Sequence, residues 1–271
     1  MKLDALERGS AFHDTAERFL RERRDAGRLP VRDDDEERGR LLELANEALD
    51  KLIASSPPRF SVLWEKERTR FHEAMLLWLT REAKLAAKST PLHFEVSFGP
   101  ARERAEGEPH DPEPLVVDLG DGRTLRVSGK IDRIDARPDG TLVLRDYKTG
   151  KAPPEPGFLF RGGQQLQMSF YLLAAERQFP GRTVADAFLD YVDGGRQVPL
   201  DPAALKGEKF RDLLRGMVDA IASGTFVQEH TSCRFCDYKA VCGPAPLLEV
   251  RRRFKINDTR LQRVLRLKSI T

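Results

Sequence analysis

The chain has 271 residues, of which 40% are hydrophobic and 33% are charged, a balance typical of globular proteins. That length corresponds to one large domain or two small ones, and it can bury a hydrophobic core without disulfide or metal cross-links. Three cysteines exclude a disulfide scaffold. The sequence contains neither an apolar run as long as a transmembrane helix nor a secretory signal, so we expect a cytoplasmic protein with no membrane partner.

The N-terminal third of the chain is predicted to be helical. Apolar residues recur with the helical period at residues 10–26, and a charge run at 33–37 begins a helix that continues through 41–53. A long amphipathic helix follows a Pro-Pro break and extends to about residue 87. Its large side chains are predicted to lie in the core rather than to stack on bases: Phe60, Trp64, Phe71, Met75 and Trp78.

After residue 91 the hydrophobic period changes to two, which predicts β-strands. The predicted strands are 93–98, 115–119, 124–136, 141–147, 187–192 and 197–200. Helices are predicted at about 164–178, after a Pro/Gly-rich loop, and at 202–223. This order predicts an α/β fold with a central mixed β-sheet flanked by helices, an N-terminal helical region and a C-terminal Cys-rich segment.

Three parts of one structural unit are predicted from these elements. They are an N-terminal helical part at 1–90, a core at 91–225, and a Cys-rich metal segment with a basic C-terminal helix at 226–271. Residues 250–271 contain eight Lys and Arg residues and one acid, Asp258, although the net charge of the whole chain is only +3. Such a segment can contact phosphates or form a solvated helix face, and the charge pattern leaves both interpretations open.

The predicted strands at 124–136 and 141–147 are joined by a Pro-Asp-Gly turn signal centred on Asp139, which indicates a hairpin. In that register Asp132 and Asp146 face each other, with their Cβ atoms about 5 Å apart. Two facing carboxylates repel unless a proton or a cation lies between them. A hard cation such as Mg²⁺ or Mn²⁺ takes oxygen ligands of this kind, so the hairpin is a candidate metal site.

Side chains alternate along a strand, so Asp146 and Lys148 share a face with Leu142 and Leu144. The backbone carbonyl of Tyr147 could add an oxygen ligand, and Lys148 could orient a water molecule and help to deprotonate it. The alternative is a surface hairpin with ordinary exposed ion pairs, and the hairpin alone does not decide between the two.

Four motifs in order resemble the nuclease domain of the RecB/AddB branch of the PD-(D/E)XK superfamily: ERGSAFHDTAERFL, GKIDRID, RDYKTG and QLQMSFYLL. The resemblance covers residues 9 to about 242. It implies a restriction-endonuclease-like core and metal-dependent hydrolysis of DNA in recombination and repair. Exonuclease activity is one mode of cleavage that it implies, and the choice between exonuclease and endonuclease stays open. It also implies that His13, Asp132 and Asp146 are metal ligands, that Lys148 is catalytic and that Gln167 lies beside the site, with Gly9 belonging to the His13 motif.

The residue pattern by itself is less decisive for the other candidates. His13 lies beside an apolar helix stripe, where a buried structural histidine is the default, and imidazole suits Mn²⁺ better than Mg²⁺. Glu95 is an acid that the site could recruit or a strand-edge carboxylate. Gln167 and Tyr171 lie four residues apart on one helix face; Tyr171 could be core, whereas Gln167 could contact a water or a phosphate.

Cys233, Cys236 and Cys242 form a C-x2-C-x5-C pattern, which favours metal binding. The resemblance implies a [4Fe–4S] cluster, which needs four thiolates, and the family supplies the fourth from upstream of the Gly/His helix. This chain has three cysteines, so we expect either a domain of a longer helicase–nuclease chain or a different site. His230 with the three cysteines could instead form a structural Zn²⁺ site.

The leading hypothesis is therefore a Mg²⁺- or Mn²⁺-dependent DNA nuclease, fused to or partnered with a helicase and acting on DNA with single-stranded ends. The alternative is a catalytically degenerate nucleic-acid-binding or scaffold module of a repair complex, against which the intact Asp132, Asp146 and Lys148 argue. The sequence has no G-x-x-x-x-G-K-[ST] phosphate-binding loop, so a nucleotide-hydrolysing motor is not expected in this chain.

Overall fold

The computed structural model of the protein describes residues 5–55, 61–100, 105–152, 159–225, 236–255 and 257–270. The chain divides into two compact units. The first comprises Met1–Val117, Leu125–Pro156 and Gln167–Leu205, and the second Asp118–Thr124, Gly157–Leu166 and Lys206–Thr271. Within the described residues, no helix combines the length and the apolar character needed to cross a membrane.

Three helices open the first unit: α1 (Ala5–Asp25), α2 (Asp35–Ser55) and α3 (Ser61–Leu85). Their apolar faces share one core, which confirms the predicted periodicity; its members include Phe12, Phe19, Leu20, Leu41, Trp64, Phe71, Met75 and Trp78. The described aromatic residues of α3 are buried, so they are core residues and not a stacking surface. Phe60 lies outside the described residues.

A six-stranded mixed sheet forms the rest of this unit's framework. Its strands are β1 (Thr90–Phe98), β2 (His110–Asp111), β5 (Gly129–Ala136), β6 (Leu142–Lys148), β7 (Val184–Tyr191) and β8 (Arg196–Leu200). Their order is β2-β1-β5-β6-β7-β8, with parallel pairing at β1–β2 and β6–β7 and antiparallel pairing elsewhere. The predicted α/β fold with a mixed sheet is therefore confirmed.

Two predicted elements are wrong in their extent. The predicted strand at 124–136 is two strands, because β4 (Thr124–Val127) pairs with β3 (Leu115–Asp118) in a separate two-stranded sheet before β5 joins the large one. The predicted helix at 202–223 is interrupted by the extended backbone of Gly207, at φ −76° and ψ −178°. It therefore forms α5 (Pro202–Leu205) and α6 (Glu208–Ala222).

Helix α4 (Gln167–Gln178) follows a short 3-10 turn and begins three residues later than predicted. It belongs to the first unit and packs on β5, β6 and β7. The described C-terminal helices are α7 (Lys239–Cys242), α8 (Ala245–Lys255) and α9 (Thr259–Lys268), and they belong to the second unit. Within that unit α9 packs on α6.

The β5–β6 hairpin has the register predicted from its turn. Arg133 pairs with Arg145, Ile134 with Leu144, Asp135 with Val143 and Ala136 with Leu142. The turn closes through a hydrogen bond of 3.0 Å from the Arg137 amide to the Thr141 carbonyl. Extension of this register by one pair places Asp132 opposite Asp146, on the face of the sheet that α4 covers.

Candidate active site

Three acidic side chains lie across three neighbouring strands of the large sheet. Asp146 on β6 is fully buried, and the side chain of Asp132 on β5 is 12% exposed. The β1–β5 ladder pairs Phe94 with Arg133 and Val96 with Ile131, so Glu95 on β1 falls opposite Asp132. The sheet therefore brings three carboxylates from separate sequence segments to one place.

The ionised forms of Asp132 and Asp146 are disfavoured by their surroundings. Burial raises the pKa of Asp132 well above its ordinary value, and the charges of Asp146 and Glu95 raise it further. Burial also raises the pKa of Asp146, although Lys148 opposes this shift. Oδ1 of Asp146 accepts no hydrogen bond from the described residues. The arrangement favours a bound proton or a bound cation.

Lys148 is held beside Asp146 by a continuous set of polar contacts. Its Nζ lies 2.6 Å from Oδ2 of Asp146 and donates a hydrogen bond of 2.9 Å to Oε1 of Gln167. Nε2 of Gln167 donates to the Tyr171 hydroxyl at 2.5 Å, and that hydroxyl donates to Oδ1 of Asp132 at 3.3 Å. Helix α4 thus links the two acids of the hairpin through side chains one turn apart.

His13 on α1 reaches the same place. Its Nε2 donates a hydrogen bond of 3.2 Å to the Tyr147 carbonyl, and its Nδ1 lies 3.5 Å from Oδ2 of Asp132. Burial lowers the pKa of His13, which favours the neutral ring. With its proton on Nε2, the ring presents the Nδ1 lone pair towards Asp132. His13, Glu95 and Asp132 each offer one ligand atom, and these three atoms lie within 4.8 Å of one another. Such a set could hold a metal ion.

The N-terminal part of α1 is fixed to the chain that leaves β6. Arg8 forms an ion pair with Asp193 and donates a hydrogen bond of 3.4 Å to the Thr149 carbonyl. A Cβ atom on Gly9 would lie 3.4 Å from Oγ1 of Thr149, so this glycine marks a close approach of the helix. These contacts hold the helix that carries His13 against the end of the strand that carries Lys148.

An open cleft of about 490 Å³ gives access to the acids. Its lining includes His13, Glu95, Lys130, Asp132 and Tyr171, together with the first turns of α1. Glu95 has a φ of 51°, which is disfavoured for a residue with a side chain. Its carboxylate lies 2.5 Å from Nζ of Lys130. The cleft therefore combines acidic groups with a lysine at its edge.

The other face of the hairpin carries a buried ionic network that sequence reasoning missed. Arg133 donates to Asp135 at 2.5 Å, to Glu82 at 2.7 Å and to the Tyr147 hydroxyl at 2.6 Å. Arg145 donates to the same Asp135 at 2.8 Å. Both arginines are almost fully buried, so the alternative of an exposed surface hairpin is wrong. The sequence signal for this network was that β5 and β6 carry charged residues on both faces, since a simple surface hairpin would carry them on one face only.

Part of the predicted cysteine site lies outside the described residues. Cys233 and His230 are among these undescribed positions. Cys236 and Cys242 are partly exposed, and Cys242 is the last residue of α7. Metal binding by this segment therefore stays a prediction.

Comparisons with known proteins connect the site to a family. The sequence pattern of the PD-(D/E)XK nuclease superfamily matches residues 2–243. The chain is 34% identical over 178 residues to a protein of Pelotomaculum thermopropionicum that is named as one subunit of an ATP-dependent helicase/deoxyribonuclease. That match covers 63% of this chain and 14% of the relative. For the protein of the same name from Alkaliphilus metalliredigens the values are 24% over 210 residues, with 73% and 16% covered.

A relative with a different name matches over a shorter stretch. It comes from Moorella thermoacetica and is named as one subunit of an ATP-dependent helicase/nuclease. The two sequences are 37% identical over 81 residues, which cover 30% of this chain and 5% of that protein. This chain therefore matches a small part of relatives that are several times longer.

Proposed function

The chain belongs to the PD-(D/E)XK nuclease superfamily, and we propose that it is a Mg²⁺- or Mn²⁺-dependent nuclease that hydrolyses phosphodiester bonds in DNA. The observation that carries this proposal is the convergence of Asp132, Asp146 and Lys148 on one face of the β5–β6 hairpin. The Pelotomaculum and Alkaliphilus relatives are named as parts of deoxyribonucleases, which supports DNA as the substrate.

The residues present fit a divalent cation. Carboxylate oxygens are the ligands that Mg²⁺ and Mn²⁺ prefer, and Oδ1 of the buried Asp146 has no hydrogen-bond donor among the described residues. Asp132, Asp146 and the Tyr147 carbonyl would hold the ion, with His13 as a nitrogen ligand, while the carboxylate of Glu95 is paired with Lys130. When bound, the ion polarises the scissile phosphate and lowers the pKa of a water molecule.

We assign the role of the catalytic lysine to Lys148. Its ammonium is fixed between Asp146 and Gln167, at 2.6 Å and 2.9 Å, at the point where the scissile phosphate would meet the acids. There it orients the attacking water and stabilises the negative charge that develops on the phosphate oxygens. Water attacks phosphorus in line with the departing oxygen, with no covalent intermediate. Gln167 and Tyr171 act as positioning residues, because they contact Lys148 and Asp132.

Helicase partnership, a DNA substrate with single-stranded ends and a cytoplasmic location are part of the same proposal. Relatives of both names are described as parts of helicase–nucleases, and this supports a helicase partner. We also keep the proposal that Cys233, Cys236 and Cys242 bind either a [4Fe–4S] cluster or, with His230, Zn²⁺. Metal analysis of the purified protein for iron and zinc distinguishes these two.

Cleavage of end-labelled single-stranded and duplex DNA by the purified chain tests the function. We expect cleavage with Mg²⁺ or Mn²⁺ and none with a chelator. Lys148→Met should lower the rate by about 10²–10³-fold, the usual loss when one transition-state donor is removed. The control is Lys84→Met, which removes an exposed lysine of α3. A folded wild-type chain that binds DNA without cleaving it would instead support the scaffold alternative.

A further inference from the structure

The cleft contains a second lysine–carboxylate pair that the proposed mechanism does not use. Lys130 precedes Asp132 by two residues on β5 and therefore lies on the same face of the sheet. Its Nζ lies 2.5 Å from Oε2 of Glu95. On the other side of Asp132, Nζ of Lys148 lies 2.6 Å from Oδ2 of Asp146. Asp132 is thus flanked by the carboxylates of two such pairs, Glu95 on β1 and Asp146 on β6.

Glu95 is held towards the cleft at a conformational cost. Its φ of 51° lies in the left-handed region, which is unfavourable for a residue with a side chain. Its side chain is only 13% exposed. One of its oxygens belongs to the three-atom set with His13 and Asp132, within 4.8 Å. An ion held by Glu95 would lie beside the ion proposed at Asp132 and Asp146, and Lys130 competes with it for the Glu95 carboxylate.

A charge count shows what Lys130 changes. Glu95, Asp132 and Asp146 carry three negative charges when ionised, and Lys130 and Lys148 carry two positive charges. As a nitrogen ligand His13 is neutral, and the nearby Glu17 is paired with Arg21. One divalent cation therefore leaves a single positive charge, which matches the one negative charge of a phosphodiester. A second cation would leave a large uncompensated positive charge in a partly buried site.

Resting on the nuclease function above, we propose that Lys130 is a built-in counter-ion for Glu95 that limits this active site to one divalent cation. The ammonium occupies the place at Glu95 that a second ion needs. Lys130 is thus a specificity-determining residue for metal stoichiometry, and Lys148 remains the lysine of the reaction. The rate of cleavage is then expected to rise with the first power of the free Mn²⁺ concentration.

Isothermal titration calorimetry of the whole chain with Mn²⁺ tests the proposal at about pH 8, where carboxyl groups ionise. Mn²⁺ is used because it prefers oxygen and nitrogen ligands to thiolates, so the cysteine segment contributes little. Wild-type protein should bind one ion and Lys130→Met two. Adding Glu95→Gln to Lys130→Met should return the number to one. Lys130→Arg, which keeps the charge, and the exposed control Lys84→Met should each bind one.

Two ions in the wild-type protein, or one in a correctly folded Lys130→Met protein, would overturn the proposal. The same titration separates this inference from the function on which it rests. A wild-type chain that binds one Mn²⁺ and cleaves DNA, with an unchanged Lys130→Met stoichiometry, retains the nuclease function and loses only the role of Lys130. A wild-type chain that neither binds Mn²⁺ nor cleaves DNA loses both.

Discussion

Asp132 is an acid that the fold accommodates at a cost. Its carboxyl group is buried between Asp146 and Glu95, and these surroundings hold its pKa well above the ordinary value. The folded, metal-free protein therefore binds a proton that the unfolded chain releases, so the free energy of unfolding falls as pH rises from the ordinary carboxyl range through the raised pKa. Such a cost is common where function requires charge in a buried site.

Asp132→Asn is accordingly expected to stabilise the metal-free protein. The amide oxygen in the place of Oδ2 can still accept from the Tyr147 amide, and the amide nitrogen in the place of Oδ1 can donate to the Tyr171 hydroxyl, while the buried charge is removed. We expect a gain of about 0.5–2 kcal/mol at neutral pH and a smaller one near pH ~4, where the native carboxyl is already protonated. Thermal unfolding in a chelator measures both. A lower midpoint for Asp132→Asn at neutral pH would contradict this explanation of the raised pKa.

The β5–β6 hairpin carries chemistry on one face and structure on the other. Arg133 and Arg145 pair with each other in the ladder, and both donate to the fully buried Asp135. Each arginine is next in sequence to an acid of the site. Since these contacts fix both strands at the ladder pair next to Asp132 and Asp146, they hold the two acids opposite each other.

Asp135→Asn should therefore destabilise the protein strongly. The substitution leaves two buried guanidinium groups without their shared carboxylate, a change that costs about 3–5 kcal/mol. Asp186→Asn is the matched control, because Asp186 pairs with Arg137 at the surface and should cost less than about 1 kcal/mol. Denaturant unfolding of both variants measures the difference. Equal losses in the free energy of unfolding would show that burial of the network does not determine its contribution to stability.

The first glycine of the GKIDRID motif has a packing role. A Cβ atom on Gly129 would lie 2.8 Å from Cζ of the buried Phe98, whose ring meets Tyr171 edge-on. Gly129→Ala should cost about 1–3 kcal/mol through overpacking. Gly39→Ala, at a helical position with no atom within 4 Å of the added Cβ, should instead stabilise α2 by up to about 1 kcal/mol. Unfolding midpoints that shift in the same direction would refute this role.

The sequence was most informative where structure is local. Helical periodicity predicts α1 to α3, and the turn at Asp139 predicts the register that faces Asp132 with Asp146. The charged residues of β5 and β6 were a signal for the network around Asp135, but its partners could not be assigned from the sequence, because the sheet order decides which charges on a strand are buried. The position of Glu95 could not be predicted from the sequence either, because it depends on the β1–β5 register and on a left-handed backbone.

At the scale of the whole molecule, the proposed active site belongs to the first unit, from His13 on α1 to Tyr171 on α4. The second unit has its own packing, in which a side chain at Gly216 on α6 would collide with the side chain of Leu267 on α9. The basic residues of the C-terminal segment therefore include members of a packed helix, Arg266 and Lys268, whose side chains are exposed.

The chain spans 14% of the Pelotomaculum protein and 16% of the Alkaliphilus protein. The names of those longer proteins support DNA cleavage by this chain as a proposal.

The cleavage rate of Asp146→Asn tests the central claim most directly. The substitution keeps the size of the side chain and removes the buried carboxylate that pairs with Lys148 and faces Asp132. With Mn²⁺ and labelled linear DNA, wild-type protein should produce cleavage products, and folded Asp146→Asn protein should lose at least about 10²-fold in rate. Undiminished cleavage by purified Asp146→Asn protein would contradict the assignment of this hairpin as the active site.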